Sequence, residues 1–134
     1  LIQYLNPRNK IVVFDSTLEK QILTELSGLY PRLSSKLTAI KDAFLDLAPL
    51  FVKHHIILPG MNGKASLKAV LPCIKSSLSY ASLSVKSGFD VVKTYKHIAY
   101  NPNQDGTEIS KKLRQYCALD TQALIEIIDY LKTL

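Results

Sequence analysis

The residues best suited to chemistry stand together in the segment Tyr116-Cys117-Ala118-Leu119-Asp120. A phenol and a carboxylate four residues apart lie on the same side of a helix. If further acids come from elsewhere, such a carboxylate can bind a divalent metal ion while the tyrosine orients water. An acid at the start of a helix can also serve as an N-cap and nothing more. From these five residues alone, the cap is the simpler interpretation.

A second acidic element, Asp15 and Glu19, follows a short apolar run at residues 10–14 that predicts a buried strand. Open α/β folds bind ligands at the carboxyl ends of such strands. The structural alternative is strong, because Ser16 stands three residues before Glu19, the spacing of a capping box, and Asp15 can cap the same turn. Magnesium requires several carboxylate oxygens, so neither acidic element is sufficient alone.

Other common kinds of site lack support in the sequence. His54 and His55 are adjacent and would point to opposite faces of a strand, which argues against zinc. Gly60 and Gly63 are not followed by the Gly-Lys-Ser/Thr ending of a P-loop, and no serine stands in a Gly-x-Ser-x-Gly setting. Nucleotide hydrolysis by a P-loop and hydrolysis by a serine triad are therefore disfavoured.

The cysteine pattern and the hydropathy indicate a cytoplasmic protein. Cys73 and Cys117 form no CxxC pair, and we expect both to be reduced and buried. No run approaches the roughly 18 apolar residues of a membrane span, and Leu1-Ile2 does not begin a signal peptide. Since the chain lacks an initiating Met, a fragment of a longer protein is expected.

The net charge of +6 is concentrated in the middle of the 134 residues. Residues 51–100 hold seven basic and one acidic side chain, whereas the flanking segments are nearly balanced. Solvated helix faces rich in lysine are the simpler explanation of the charge alone, and an anionic partner such as nucleic acid is the alternative. The lysines expected to contact phosphates are Lys64, Lys68, Lys75, Lys86, Lys93 and Lys96.

The apolar content of 47% is enough for one core, so residues 1–134 are predicted to form a single domain. After the first strand, one helix is predicted from Ser16 until Gly28 and Pro31 interrupt the pattern. A second is predicted from Pro31, with one apolar face made of Leu33, Leu37, Ile40 and Phe44. Residues 45–51 are compatible with a short strand or with the start of a helix, which periodicity does not separate, and an extended piece followed by one helical turn is favoured.

The second half of the chain is predicted to be helical between loops. Ser66 can cap a short helix that ends before Pro72, and Ser87 with Asp90 repeats the capping-box spacing. Residues 101–106 have turn chemistry. Two further helices are predicted after this loop, with Asp120-Thr121 as the N-cap that separates them.

The order of motifs resembles an uncharacterised bacterial domain family of the ribonuclease-H-like superfamily, related to the DEDD 3′-to-5′ exonucleases. The resemblance runs from about residue 10 to 131, and it rests on the segments IVVFDSTLEKQIL, LDLAPLF, GKASLKAVLP, LSYASLSVKSG and YCALDTQALIEII. The most specific of them are residues 63–72 and residues 116–121. Family members are often attached to a RecB-like nuclease domain. The resemblance therefore implies such a domain as an expected partner of this chain.

The resemblance implies roles for individual residues. Glu19 and Asp120 would help to hold two divalent ions, Mg²⁺ or Mn²⁺, and Tyr116 would orient the attacking water. Asp46 matches a further acid of the family and is expected to be a structural cap. The chain departs from the family in having Asp15 where Asn is usual, and in lacking the Asp-x-Glu motif that supplies the other two carboxylates.

Together these observations predict an α/β fold, the helix-rich C-terminal part of a ribonuclease-H-like domain with a short remnant of the sheet. The predicted function is metal-dependent 3′-to-5′ exonuclease chemistry on DNA or RNA, incomplete in this chain because the first acidic motif is absent. The alternative is a catalytically inert helical scaffold or protein-interaction module.

Overall fold

The computed structural model describes residues 5–85, 87–100 and 106–134 of the chain. The described part is a mixed α/β structure that is mostly helical, with a two-stranded parallel sheet. The helix-rich α/β class predicted from the sequence is therefore confirmed. The chain packs as two compact units, the first made of residues up to 57 with 63–65, and the second of residues 58–62 and 66–134.

The sheet of the first unit joins strand β1, Ile11–Val13, to strand β2, Phe44–Asp46, in parallel. Val13 is the register partner of Asp46, so both strands end at the same edge. Helix α3, Ala48–Val52, follows β2 directly. The expected strand at the first apolar run and the expected extended piece with its helical turn are confirmed, although β1 is half-buried.

Along the chain, β1 is connected to β2 by helix α1, Thr17–Leu29, a 3₁₀ turn at Pro31–Leu33, and helix α2, Ser34–Asp42. The ring of Pro31 fixes a backbone angle suited to a first helical turn, which explains the new start. One predicted feature was wrong, because Phe44 lies in β2 and not on the face of the second helix. The buried apolar cluster between α1 and α2 is made of Leu23, Leu37 and Ile40.

The start of α1 does not use the predicted capping box. Ser16 occupies the N-cap position, but its side chain makes no capping bond there. Instead, the carboxylate of Asp46 accepts the backbone N–H groups of Asp15 at 2.9 Å, Ser16 at 2.8 Å and Ala48 at 3.0 Å. Asp15 caps the turn as expected, since its Oδ1 accepts from the backbone N–H of Thr17 at 3.3 Å. The same oxygen accepts from Thr17 Oγ1 at 2.7 Å.

The second unit contains helices α4, Leu67–Ile74, α5, Gly88–Tyr100, and α6, Thr107–Leu131, with a 3₁₀ turn at Tyr80–Ser82. Helix α4 continues past Pro72, contrary to the prediction. Pro72 cannot donate a backbone hydrogen bond, but the helix is closed after it by the N–H of Lys75, which donates to the carbonyl of Leu71 at 2.8 Å. Ser66 precedes α4 without a side-chain capping bond.

The predicted cap of α5 is confirmed, and the predicted break in α6 is wrong. Ser87 Oγ donates to Asp90 Oδ2 at 2.7 Å and accepts from the Asp90 N–H at 3.1 Å. Helix α6 runs unbroken through Asp120, and Thr121 Oγ1 donates to the carbonyl of Cys117 at 3.0 Å. Residues that favour caps can lie inside a helix when no Gly or Pro ends it and their side chains bond the preceding turn.

The core of the second unit is a buried cluster around α6. It comprises Leu71, Tyr80, Val85, Tyr116 and Ala123. Both cysteines are free thiols, but Cys117 is exposed on α6, so its predicted burial was wrong. Among the helices of the described residues, none has both the length and the apolar character needed to cross a membrane.

Candidate functional site

Asp120 lies at the centre of a polar cluster inside the second unit. It shares α6 with Tyr116, one turn earlier, and it faces the 3₁₀ turn that carries Tyr80. The hydroxyl of Tyr80 donates to Asp120 Oδ1 at 2.5 Å, the short distance typical of a bond to a charged acceptor. The rings of Tyr80 and Tyr116 are 5.7 Å apart between centroids and tilted by 58°.

Lys68, from α4, completes this Asp120 cluster, which we define as Lys68, Tyr80, Tyr116 and Asp120. Its Nζ lies 5.2 Å from the ring centroid of Tyr80 and 5.3 Å from that of Tyr116. An ammonium at this distance is attracted by the negative face of an aromatic ring. The cluster therefore ties α4, the 3₁₀ turn and α6 to one another, and it brings a positive charge towards Asp120.

The environment alters the pKa values of Tyr80, Tyr116 and Asp120. Burial raises the pKa of Asp120, while the hydrogen bond from Tyr80 and the charge of Lys68 act in the opposite direction. Burial, followed by the hydrogen bond to Asp120, raises the pKa of Tyr80 far above its usual value. Burial and the negative charge of Asp120 also raise the pKa of Tyr116. The phenols thus stay protonated donors, and Asp120 is a carboxyl with an elevated proton affinity.

The donor set of the Asp120 cluster does not by itself fit a divalent metal ion. It offers one carboxylate, two phenols that remain protonated and one ammonium, whereas Mg²⁺ binds through several carboxylate oxygens. Across residues 5–85, 87–100 and 106–134, no three His, Cys, Asp or Glu side chains are grouped so as to hold a metal. Glu19, the other expected metal ligand, is an exposed residue in the first turn of α1, in the first unit.

Asp46 accepts the backbone N–H of Ser16, the bond that the predicted capping box assigned to Glu19. Burial raises the pKa of its carboxyl, but the hydrogen bonds from Ser16, Ala48 and Asp15 outweigh burial, and the net pKa is lowered. Asp46 is thereby held as an ionised cap at the shared edge of β1 and β2, the structural role expected for it. Sequence spacing could not identify it, because its partners are about thirty residues away along the chain.

The lysines predicted to contact phosphate have different surroundings. Lys64 is exposed, Lys68 belongs to the Asp120 cluster, and Lys75 Nζ lies 3.9 Å from Glu126 Oε2. Lys93 and Lys96 are exposed on α5 and line a groove of about 740 Å³. Lys86 lies outside the described residues.

A second basic groove was missed by the sequence reasoning. It has a volume of about 870 Å³ and is lined by Lys111 and Arg114 on the first turns of α6. These residues belong to the C-terminal segment, where the acids outnumber the bases, so the total charge of that segment concealed them. Their spacing of three residues, which places both on one side of a helix, was the signal that could have identified them.

Comparisons with known proteins find uncharacterised relatives. Residues 1–66 match the family model described as a domain of unknown function (DUF2779). An uncharacterised protein of Mycoplasma genitalium is 28% identical over 137 residues, covering 92% of this chain. Its homologue in Mycoplasma pneumoniae is 27% identical over 135 residues, covering 90% of this chain. The chain spans about a fifth of the length of both proteins.

No solved structure matches the chain at a significant level. The matches agree with the expected resemblance to an uncharacterised bacterial domain, and the names of the matched proteins state no activity.

Proposed function

We propose that this chain is part of a metal-dependent nuclease that degrades single-stranded DNA or RNA from the 3′ end, and that Asp120 is an acid of its active site. The observation that supports the proposal is the environment of Asp120. A partly buried carboxylate with a raised pKa, held by Tyr80 and Lys68 beside Tyr116, is the kind of perturbed group that concentrates at functional sites.

Each residue of the Asp120 cluster has a defined part in the proposal. Tyr80 fixes the orientation of the carboxylate through its hydrogen bond, and the charge of Lys68 favours the ionised form of Asp120. Tyr116 lies one turn before Asp120, where a phenol can orient a water molecule. The proposal includes Mg²⁺ or Mn²⁺ and requires further carboxylate ligands, because Asp120 alone is not sufficient. Glu19 is kept as a candidate acid and is tested separately.

The central experiment is the variant Asp120→Asn in the full-length protein. Degradation of a single-stranded oligonucleotide with Mn²⁺ is expected to fall by at least about a hundredfold, because the amide cannot replace an ionised acid in metal-assisted hydrolysis. Asp129→Asn is the matched control, since Asp129 is exposed on the same helix and pairs with Lys132 at its surface. Full activity in Asp120→Asn, with normal folding by circular dichroism, would contradict the proposal.

The contribution of the first unit is tested by Glu19→Gln. The same loss of degradation is expected if Glu19 contributes to the metal site, whereas Glu25→Gln, which alters an exposed acid of the same helix, should have no effect. Labelling the substrate at its 5′ end in one reaction and at its 3′ end in another shows the direction of degradation.

The second candidate function is an inert helical scaffold. It is favoured by the way the Asp120 cluster joins three elements of one unit, a role that packing alone would explain. Under this alternative, Asp120→Asn changes the stability of the protein but leaves any nuclease activity unchanged. Activity and the free energy of unfolding should therefore be measured on the same preparation.

A further inference from the structure

Among the described residues of the second unit, some basic side chains are paired with acids and others are not. Lys75 pairs with Glu126, Lys112 with Glu108 and Lys132 with Asp129. Within the described ranges, the residues that make no ion pair and line one of the two grooves are Lys93, Lys96, Lys111 and Arg114. Their charges are available to a ligand.

The two grooves use different faces of the beginning of α6. Ile109 lines the first groove, whereas Ser110, Lys111 and Arg114, which lie on another side of the helix, line the second. Among the described residues that line the first groove, the acid is Asp90, and its carboxylate accepts a hydrogen bond from the hydroxyl of Ser87 at the start of α5. The second groove is lined by two basic residues and by no acid from the described part of the chain. Both grooves therefore favour an anionic ligand.

An aromatic ring accompanies the charges in the first groove. Tyr100, at the end of α5, lines this groove and is 79% exposed. An exposed tyrosine ring is accessible for stacking, and an unstacked base is a common partner for such a ring. Lysines beside an exposed aromatic ring are the combination that proteins use to bind single strands.

We propose that the grooves on α5 and α6 bind single-stranded nucleic acid, with phosphates on Lys93, Lys96, Lys111 and Arg114 and a base on Tyr100. The proposal rests on the proposed function for its class of substrate, and it moves the phosphate contacts away from Lys68 and Lys75. The bases of a duplex are already stacked on one another, so a duplex could not place a base on the ring of Tyr100. Each groove, at 740 and 870 Å³, falls within the usual range for ligand sites of about 300–1,000 Å³.

The charge contacts are tested by fluorescence anisotropy with the full-length protein in EDTA, so that no cleavage occurs. The probes are labelled oligothymidylate and oligouridylate, which also distinguish DNA from RNA. The double variants Lys93→Ala with Lys96→Ala, and Lys111→Ala with Arg114→Ala, should each weaken binding about tenfold. Each should also reduce the slope of log K against log salt by about 1.4, since each phosphate contact on a single strand contributes about 0.7.

A matched control removes the same charge from the same helix. Lys112→Ala with Lys132→Ala deletes two lysines that already pair with acids, and it should change the affinity by less than about twofold. The stacking contact is tested separately by Tyr100→Ala, for which binding should weaken by roughly tenfold with an unchanged salt slope. Tyr95→Ala, an exposed tyrosine of α5 that lies outside the groove, is its control.

Several results would overturn the proposal. One is failure of the unaltered protein to bind either probe at low salt, and another is binding by the three groove variants that equals that of their controls. A third is that heparin competes for the protein as well as an unlabelled oligonucleotide does, while Tyr100→Ala leaves the affinity for the probes unchanged. That result would identify a general polyanion surface and reject the assignment to nucleic acid. Loss of degradation in Asp120→Asn together with unaffected binding by the groove variants would reject this proposal and leave the proposed function standing.

Discussion

At the scale of single residues, Asp46 and Asp120 show how the surroundings decide the behaviour of a carboxylate. Both are partly buried, and burial raises the pKa of each. Asp46 accepts several backbone N–H groups that reverse this effect, so its net pKa is lowered. Asp120 accepts one phenol hydroxyl, and the effect of burial prevails. The two acids therefore affect stability with opposite dependence on pH.

For Asp46, the folded protein binds its proton less tightly than the unfolded chain does. The stability that it contributes is present above the ordinary pKa of 3.8 and is lost as the pH falls through the lowered folded value. Asp46→Asn is expected to reduce the free energy of unfolding by about 1–2 kcal/mol at neutral pH, with a smaller loss below pH 3.8. Urea unfolding over a pH series measures the difference, and a loss that is constant with pH would contradict it.

For Asp120, the folded protein binds the proton more tightly than the unfolded chain does. Its contribution to stability is complete below pH 3.8 and is lost as the pH rises through the raised folded value. Asp120→Asn, which resembles the neutral acid, should therefore become more stable relative to the unaltered protein as the pH increases. The same urea series measures this trend, and a slope of the opposite sign would show that Asp120 is stabilised as an ion.

At the scale of elements, α6 is the clearest case of a structure that local signals misread. Thr121 has the chemistry of an N-cap, yet it lies inside a helix of 25 residues. Its hydroxyl donates to the carbonyl four residues earlier, as the hydroxyl of Thr24 does in α1. The helix continues because its inner face, including Tyr116, Ala123 and Ile127, is buried along its length.

The sign of the change in the free energy of unfolding caused by Thr121→Ala distinguishes a position inside a helix from an N-cap. Thr121→Ala is expected to raise the free energy of unfolding by about 0.5 kcal/mol, because alanine has the higher helix propensity. At an N-cap, the same change would lower the free energy by about 1 kcal/mol. Chemical unfolding measures the sign, and Thr24→Ala, an exposed position in the interior of α1, is the control that should behave alike.

At the scale of the whole molecule, each compact unit has its own buried residues. In the first unit, Phe51 is completely buried and its ring lies 6.0 Å from that of Phe14. In the second unit, Leu71 and Ile127 are likewise inaccessible to solvent. Because each unit is small, a few large buried side chains provide much of its stability. Truncating one of these side chains should therefore lower the free energy of unfolding strongly.

Phe51→Ala is therefore expected to lower the free energy of unfolding by about 3–5 kcal/mol, through lost burial and the cavity left behind. Phe89→Ala, which removes a ring that is 78% exposed, should change the free energy by less than about 0.5 kcal/mol. Thermal or urea unfolding of the two variants compares them directly. Equal stability of both would show that the packing of Phe51 contributes little.

The sequence by itself determined the features that depend on neighbouring residues. A short run of apolar, β-branched residues was enough to predict β1, and the positions of Gly28 and Pro31 were enough to predict the end of α1. Ser87 with Asp90 was enough to predict the cap of α5. These signals act within one or two turns of chain. They also predicted that Tyr116 and Asp120 lie on the same side of a helix, but they did not predict which residues surround the two side chains.

Only the tertiary structure decided which groups meet across long separations. The carboxylate of Asp46 accepts the backbone N–H of Asp15, which lies 31 positions earlier in the chain. The hydroxyl of Tyr80 donates to the carboxylate of Asp120, which lies 40 positions later. Sequence patterns do not reveal such contacts, because they depend on how helices pack and where loops close, and many pairings are compatible with the same local periodicity. The same reason explains why Lys111 and Arg114, unremarkable in the sequence, were recognised only when folding placed them beside a groove.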